Sequence, residues 1–152
     1  MKTTRYIFIL ISLFAILSIF DRVTKSIVRL FGDAYSDTPR FIELVYACNP
    51  HSAFSIPIPW ILVYTLCAVV IVIGVRMIFL FGKNQTSPII RAFPYVLLIV
   101  GAVSNCVDRV LYGCVVDFIS VGWWPIFNLA DSYIVIAVVW IMFEEMFVRK
   151  TK

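Results

Sequence analysis

Charge is scarce in this chain of 152 residues, which has nine acids, thirteen Lys and Arg, and one histidine. Hydrophobic residues make up 62%, and the mean hydropathy is +0.97. Soluble domains are roughly 45–50% apolar, so an integral membrane protein is expected. The single histidine, His51, has no second histidine to pair with on a metal, and no H-E-x-x-H occurs. No residue set offers three His, Cys or carboxylate ligands at metal-binding spacing, so the chain is expected to work without metal or other cofactor. Four cysteines are present (Cys48, Cys67, Cys106 and Cys114), with no C-x-x-C among them. Cys67 and Cys106 fall inside apolar runs, and all four are expected to behave as small hydrophobes. There is no basic patch interleaved with aromatics, so nucleic-acid binding is not expected. There is no internal repeat and no low-complexity segment, and the length suits one domain over residues 1–152.

The apolar residues that are present fall into four runs, about the number this length allows at roughly 20 residues per span. The first runs from Tyr6 to Phe20 behind Lys2 and Arg5. No small-x-small cleavage site follows it, so it reads as an uncleaved span extended by Asp21 to Arg29. A polar stretch from Phe31 to Pro59 comes next. Within it Phe41 to Tyr46 alternates apolar and polar with β-branched residues, which predicts short strand, and Ile56-Pro57-Ile58-Pro59 predicts a break. The second span is expected from Trp60 to Phe81, followed by a polar turn from Gly82 to Arg91. The third is expected from Ala92 to Val110. An exposed loop is expected from Leu111 to Phe127, its Trp123 and Trp124 suited to a membrane interface. The fourth span is expected from Asn128 to Phe147. The fold class is therefore all-α membrane protein, with four transmembrane helices and a small β-rich segment between the first two.

Basic residues set the orientation. One side would hold Lys2, Arg5, Arg76, Lys83, Arg91, Arg149, Lys150 and Lys152; the other would hold Arg22, Lys25, Arg29, Arg40 and Arg109. The larger set belongs inside, which places both termini in the cytoplasm and the long polar stretch outside.

Three of the nine acids, Asp108, Asp117 and Asp131, fall within 24 positions beside the last two apolar runs. A carboxylate at the centre of a membrane helix costs roughly 2.5–3.5 kcal/mol, so acids there are functional-site hypotheses by default. Asp117 and Asp131 flank a loop that turns back, so they can meet. Two close carboxylates do not both ionise cheaply; one keeps its proton, and the pair can activate water and protonate a leaving group. The residues alone are equally consistent with helix capping at Asp131. Asn105 and Asp108 share a helical face, and Asn128 and Asp131 repeat that spacing. Arg109 offers a fork for a carbonyl or for developing charge, or an ion pair with a neighbouring acid. Asp21 and Lys25 form an i, i+4 pair, and Asn49 opens a loop of turn-formers.

Five segments, in order along the chain, resemble the lipoprotein signal peptidase (signal peptidase II) family. Asp21-Arg22-Val23-Thr24-Lys25 is similar to its D-x-x-T-K, and Asn49 to Ser55 to its N-x-G-x-A-F-S. Gly101 to Arg109 is similar to G-x-x-x-N-x-x-D-R, Val115 to Phe118 to V-V-D-F, and Phe127 to Ser132 to F-N-x-A-D-S. The resemblance implies an intramembrane aspartic endopeptidase with Asp117 and Asp131 as its dyad. It also implies substrate-binding or supporting roles for Asn49, Asn105, Asp108, Arg109, Asn128, Asp21 and Lys25. The implied substrate is a diacylglyceryl-modified prolipoprotein cut before its lipidated cysteine, in the bacterial cytoplasmic (inner) membrane. Membrane lipids are implied partners, and globomycin-type cyclic peptides implied inhibitors. One departure stands out: His51, after Pro50, replaces the family's Gly, which permits a tight backbone approach. Val45-Tyr46-Ala47-Cys48 is faintly similar to a lipobox, but Arg40 and Glu43 precede it where a secretory apolar core would stand, so the chain reads as the enzyme.

Two rival classes fit parts of the pattern. A four-span thiol–disulfide carrier needs outward-facing, low-pKa cysteines. A small proton-coupled transporter also uses membrane acids, but more naturally in mid-span.

Overall fold

The structure is a computed structural model that describes residues 3–31, 41–51, 58–84 and 88–148. Helix α1 (Thr3–Phe31) is followed by strand β1 (Ile42–Asn49), α2 (Trp60–Asn84) and α3 (Pro88–Tyr112). Then come β2 (Val115–Val121), β3 (Trp124–Phe127), α4 (Leu129–Phe143) and a π-helical turn, Glu144–Val148. The polar stretch 32–40, the rest of the Asn49 loop with the first half of the break (52–57), the turn at 85–87 and the basic tail 149–152 lie outside the described residues. Among the described residues, three helices are long and apolar enough to cross a membrane: Thr3–Phe31, Trp60–Gly82 and Pro88–Tyr112. The protein is thus mostly helical, with a small sheet of three antiparallel strands in the order β1-β2-β3.

The expected loop from Leu111 to Phe127 is not a loop. Helix α3 continues to Tyr112, and β2 and β3 form a hairpin. Gly122 and Trp123 are its turn, and Gly122 adopts φ +51°, a left-handed conformation that glycine takes without steric penalty. Of the Trp pair that suggests an interface loop, Trp123 lies in the turn and Trp124 begins β3. The expected strand at Phe41 to Tyr46 begins and ends later, at Ile42 and Asn49, because it pairs with β2 as far as Asn49↔Val115. The cysteine expectation fails for two of the four: Cys48 and Cys114 form a disulfide, while Cys67 and Cys106 are free. Hydrophobicity is a poor guide to that pair, because the sheet, not local sequence, brings them together across 66 positions.

Helix α3 is the hub, packing against α1, α2 and α4. The core joins Tyr6 and Leu10 of α1, Ala92, Val96, Leu97 and Val100 of α3, and Tyr133 and Ala137 of α4. Small residues permit the α3–α4 approach. A Cβ at Gly101 would lie 2.5 Å from the Ala130 carbonyl oxygen and 2.6 Å from Ile134 Cγ1. Gly101→Ala is therefore expected to lower stability by about 1–3 kcal/mol through overpacking, read as a lower melting temperature in detergent. An unchanged melting temperature would show that the two helices separate freely.

Candidate active site

A cavity of about 800 Å³ opens between the sheet, α3 and α4. Asn49, His51, Asn105, Arg109, Asp117 and Asp131 all line it. Strand periodicity supplies the sheet side: Ala47 pairs with Asp117 and Asn49 with Val115, so these residues share one face. Both α1 and α3 lie against β2, which is why its start, Val115 to Phe118, is buried and reads as an unbroken apolar run around one acid.

Each cavity aspartate is held by asparagine. Asp117 Oδ1 accepts from Asn128 Nδ2 at 2.6 Å, and Oδ2 accepts from Asn49 Nδ2 at 3.2 Å. Asp131 Oδ1 accepts from Asn105 Nδ2 at 2.7 Å. Its Oδ2 accepts from the Asn128 backbone N–H at 3.2 Å, while Asn128 Oδ1 accepts from the Asp131 N–H at 2.9 Å. That reciprocal pair is the capping box that starts α4. Asp131 is thus the helix-capping acid that its position suggested: one oxygen closes the helix start, and the other faces Asn105 in the cavity. Asn128 Nδ2 also donates to Asn105 Oδ1 at 3.2 Å, which ties the asparagines to one another.

Behind the cavity lies a buried charge network. Lys25, 1% exposed, bridges Asp21 at 3.0 Å and Asp108 at 2.8 Å, both fully buried. It also donates to Asn105 Oδ1 at 3.1 Å, linking the network to the asparagines. Asp21 accepts from Ser104 Oγ and from the Ala130 N–H at 2.9 Å. Asp108 accepts from Arg22 Nη1 at 2.5 Å and from the Val116 N–H at 3.3 Å. Each Asp108 oxygen is therefore engaged from α1 or β2, and the residue sits behind the strand that carries Asp117. Arg109 makes its bonds to carbonyls: Nη1 to Asn105 O and Nη2 to His51 O, both at 3.2 Å. The His51 N–H donates to Asn49 Oδ1 at 3.0 Å. These are main-chain contacts that any residue other than proline supplies, so histidine is accommodated where the resembling motif has glycine.

All nine residues singled out from the sequence therefore meet in one assembly. Arg22 and Ser104 are additions. The signal for both is helical spacing: Arg22 is i, i+3 with Lys25, and Ser104 is i, i+4 with Asp108. The Cys48–Cys114 bond leaves no such signal.

Burial, and then the charge of Asp131, push the Asp117 carboxyl up to about 6, against the hydrogen bonds from Asn49 and Asn128 and the charge of Lys25. Two carboxyls sharing a cavity, one of them titrating near neutrality, can hold a single proton between them and supply both an acid and a base.

Known proteins carry the same arrangement of chain. Residues 13–147 match the family described as Signal peptidase (SPase) II. A lipoprotein signal peptidase of Janthinobacterium sp. (strain Marseille) is 37% identical over 144 residues, covering 87% of this chain and 84% of that protein. One of Rhodococcus jostii (strain RHA1) is 44% identical over 114 residues, 71% of this chain; the match spans about half of that relative's length, 52%. A solved structure, described as a bacterial membrane enzyme, superposes with a TM-score of 0.77 at 30% identity, covering 94% of this chain and 89% of that one. With the match running through the sheet, α3 and α4, which enclose the cavity, and through most of α1, which backs it, the chain belongs to the signal peptidase II family.

Proposed function

We propose that the chain is an intramembrane aspartic endopeptidase that removes the signal peptide of diacylglyceryl-modified prolipoproteins, cutting before the lipidated cysteine. The observation that carries this is the pair Asp117 and Asp131, which line one cavity from β2 and α4 and are each held by asparagine donors. One carboxylate takes a proton from a water as its oxygen attacks the scissile carbonyl carbon. The other, protonated, gives its proton to the carbonyl oxygen. As the tetrahedral intermediate collapses and the C–N bond breaks, the carboxyl that took the water's proton passes it to the leaving amine, and a hydroxyl of the intermediate returns its proton to the other carboxylate, which restores the singly protonated pair. Asn49, Asn105 and Asn128 orient the carboxyls. Asp21, Lys25 and Asp108 tie α1 and α3 to β2 and to the start of α4, the elements that carry them.

The sheet and cavity then face the outside of the bacterial cytoplasmic membrane, with both termini inside. The basic-residue tally supports this, and so does the disulfide, because such bonds persist on the oxidising side. Helix α4 and the π-helical turn together run from Leu129 to Val148. At about 1.5 Å per residue that is close to a 30 Å hydrocarbon core, so they serve as the fourth span. Ile42, Leu44, Tyr46, Trp123 and Trp124 are exposed on the sheet and suit contact with lipid headgroups, where the substrate's own lipid lies. Globomycin-type cyclic peptides are expected to occupy the same cavity.

The direct test incubates the purified protein with a diacylated prolipoprotein and weighs the products. Scission one bond before the modified cysteine is expected, with and without a chelator. Products cut elsewhere, or activity lost to the chelator and restored by zinc, would overturn the proposal. A preparation with all four cysteines replaced still cleaves if the chain is a peptidase and is dead if it is a thiol carrier.

Arg109→Lys is expected to lower turnover at least about tenfold. The guanidinium reaches two carbonyls at once, on α3 and on the His51 segment, which a single ammonium does not reproduce. Unchanged turnover would mean that Arg109 only marks the interface.

A further inference from the structure

We infer that the Cys48–Cys114 disulfide is a positioning element of the active site, clamping the end of β1 so that Asn49 stays against Asp117. The inference rests on the peptidase proposal above and adds a residue pair that controls the dyad without touching substrate.

The geometry is local and specific. Cys48 immediately precedes Asn49, and Cys114 immediately precedes Val115, the residue paired with Asn49. The bond therefore crosses the ladder at its last rung. Little else holds β1 there. It is an edge strand, and its register with β2 breaks between Leu44 and Ala47, leaving three paired residues before the chain departs. Pro50 follows, with no N–H to extend the ladder. Past it, Arg109 grips the His51 carbonyl. One half of the bond is fixed, since Cys114 is buried next to Gly113, which ends α3 with φ +73°. The other half, Cys48, is exposed and lines the cavity, where a small dithiol can reach it.

Opening the bond frees the strand end that carries Asn49, and with it the donor to Asp117 Oδ2. A hydrogen bond to a carboxylate favours the ionised form, so its loss raises the pKa of Asp117 further. The other groups facing Asp117 stay in place: Asp131 on α4, Lys25 on α1, Asp108 and Arg109 on α3, and His51 beyond β1. Dithiothreitol supplies the reduction. The S–S bond breaks, each sulfur gains one electron and one proton, and the dithiol closes to its cyclic disulfide.

The experiment compares oxidised wild type, dithiothreitol-treated wild type and Cys48→Ala/Cys114→Ala, each with and without Asn49→Ala. Cleavage of a synthetic diacylated prolipoprotein peptide is followed across pH. Breaking the bond is expected to lower kcat about tenfold. The limb governed by Asp117 is expected to move to higher pH by roughly half a pH unit or more. In the Asn49→Ala background the bond should no longer matter to that limb. Equal rates and profiles with and without the bond overturn the inference, and so does a shift that persists without Asn49, because a merely structural clamp would cause it. Asp117 is also titrated directly by its infrared carboxyl band, assigned by its loss in Asp117→Asn. If the oxidised protein cleaves nothing, the peptidase proposal fails, while a midpoint that moves on reduction still supports the clamp and a fixed midpoint ends it.

Discussion

Asp117→Asn and Asp131→Asn are each expected to lower cleavage by roughly 10³-fold or more, because the proposed dyad would act as a unit and lose most of its rate with either member. Both variants should insert and fold. Asparagine at 131 still offers an oxygen to the Asn128 N–H, so the start of α4 survives. Asparagine at 117 removes a buried negative charge but turns an amide donor towards Asn49 or Asn128, so only a small fall in melting temperature is expected. Asp108→Asn is the comparison that decides the pairing. Asp108 is engaged by Arg22, Lys25 and the Val116 N–H, so its loss should leave a weak activity with both limbs of the pH profile intact. The dyad would instead be Asp108 with Asp131 if Asp117→Asn kept that weak profile and Asp108→Asn were dead. The wild-type profile adds a second check. With its pKa raised to about 6, Asp117 holds its proton below that pH and releases it above. If Asp117 is the base, activity falls as pH drops through 6; if it is the acid, activity falls as pH rises through 6. A profile flat from about pH 5 to 7 fits neither role.

Lys25→Met is expected to be the most damaging change outside the cavity. Lys25 is 1% exposed and neutralises two fully buried carboxylates. Removing one member of such an assembly leaves uncompensated buried charge and costs about 3–5 kcal/mol. Asp108 keeps Arg22, so the burden falls mainly on Asp21, which among the described residues retains the Ser104 hydroxyl and the Ala130 N–H. Thermal unfolding in detergent measures the loss. Adding Asp21→Asn to Lys25→Met should recover part of it, because the unpaired charge is gone. Equal melting temperatures for Lys25→Met and wild type would mean that water reaches the network.

Much of this was legible in the sequence, for identifiable reasons. The helices were, because long apolar runs report spans directly; α1, α2 and α3 extend past the expected ends by up to one turn, and α2 and α3 run into the expected polar turn Gly82–Arg91. The gathering of nine polar residues in and behind one cavity was, because charged and amide side chains are conspicuous among apolar neighbours. The hairpin at Val115 to Phe127 was not. Its first half is buried on both sides, so it lacks the alternation that marks a half-buried strand, and it reads as apolar loop beside a span. The disulfide was not, because its pairing depends on a register between segments on opposite sides of two helices. Arg22 looked like a topology marker, since a basic residue at a span end ordinarily reports orientation; here its guanidinium turns inward to Asp108.

Asp21 and Lys25 stand on the same helix, one turn apart, and this bears on how the molecule is made. The groups that later satisfy them (Ser104, Asn105, Asp108 and the Ala130 N–H) are as many as 109 residues further along the chain. Synthesis therefore delivers α1 to the bilayer well before those partners exist. Alone, each charge would resist entering hydrocarbon. As an i, i+4 couple they provide a provisional partner for each other, so α1 can lodge in the membrane and wait. Arrival of α3 and then α4 converts that temporary couple into the permanent network, and the same last step brings Asp131 to Asp117. On the proposed function, the nascent chain would therefore have no paired carboxyls until α4 is in place.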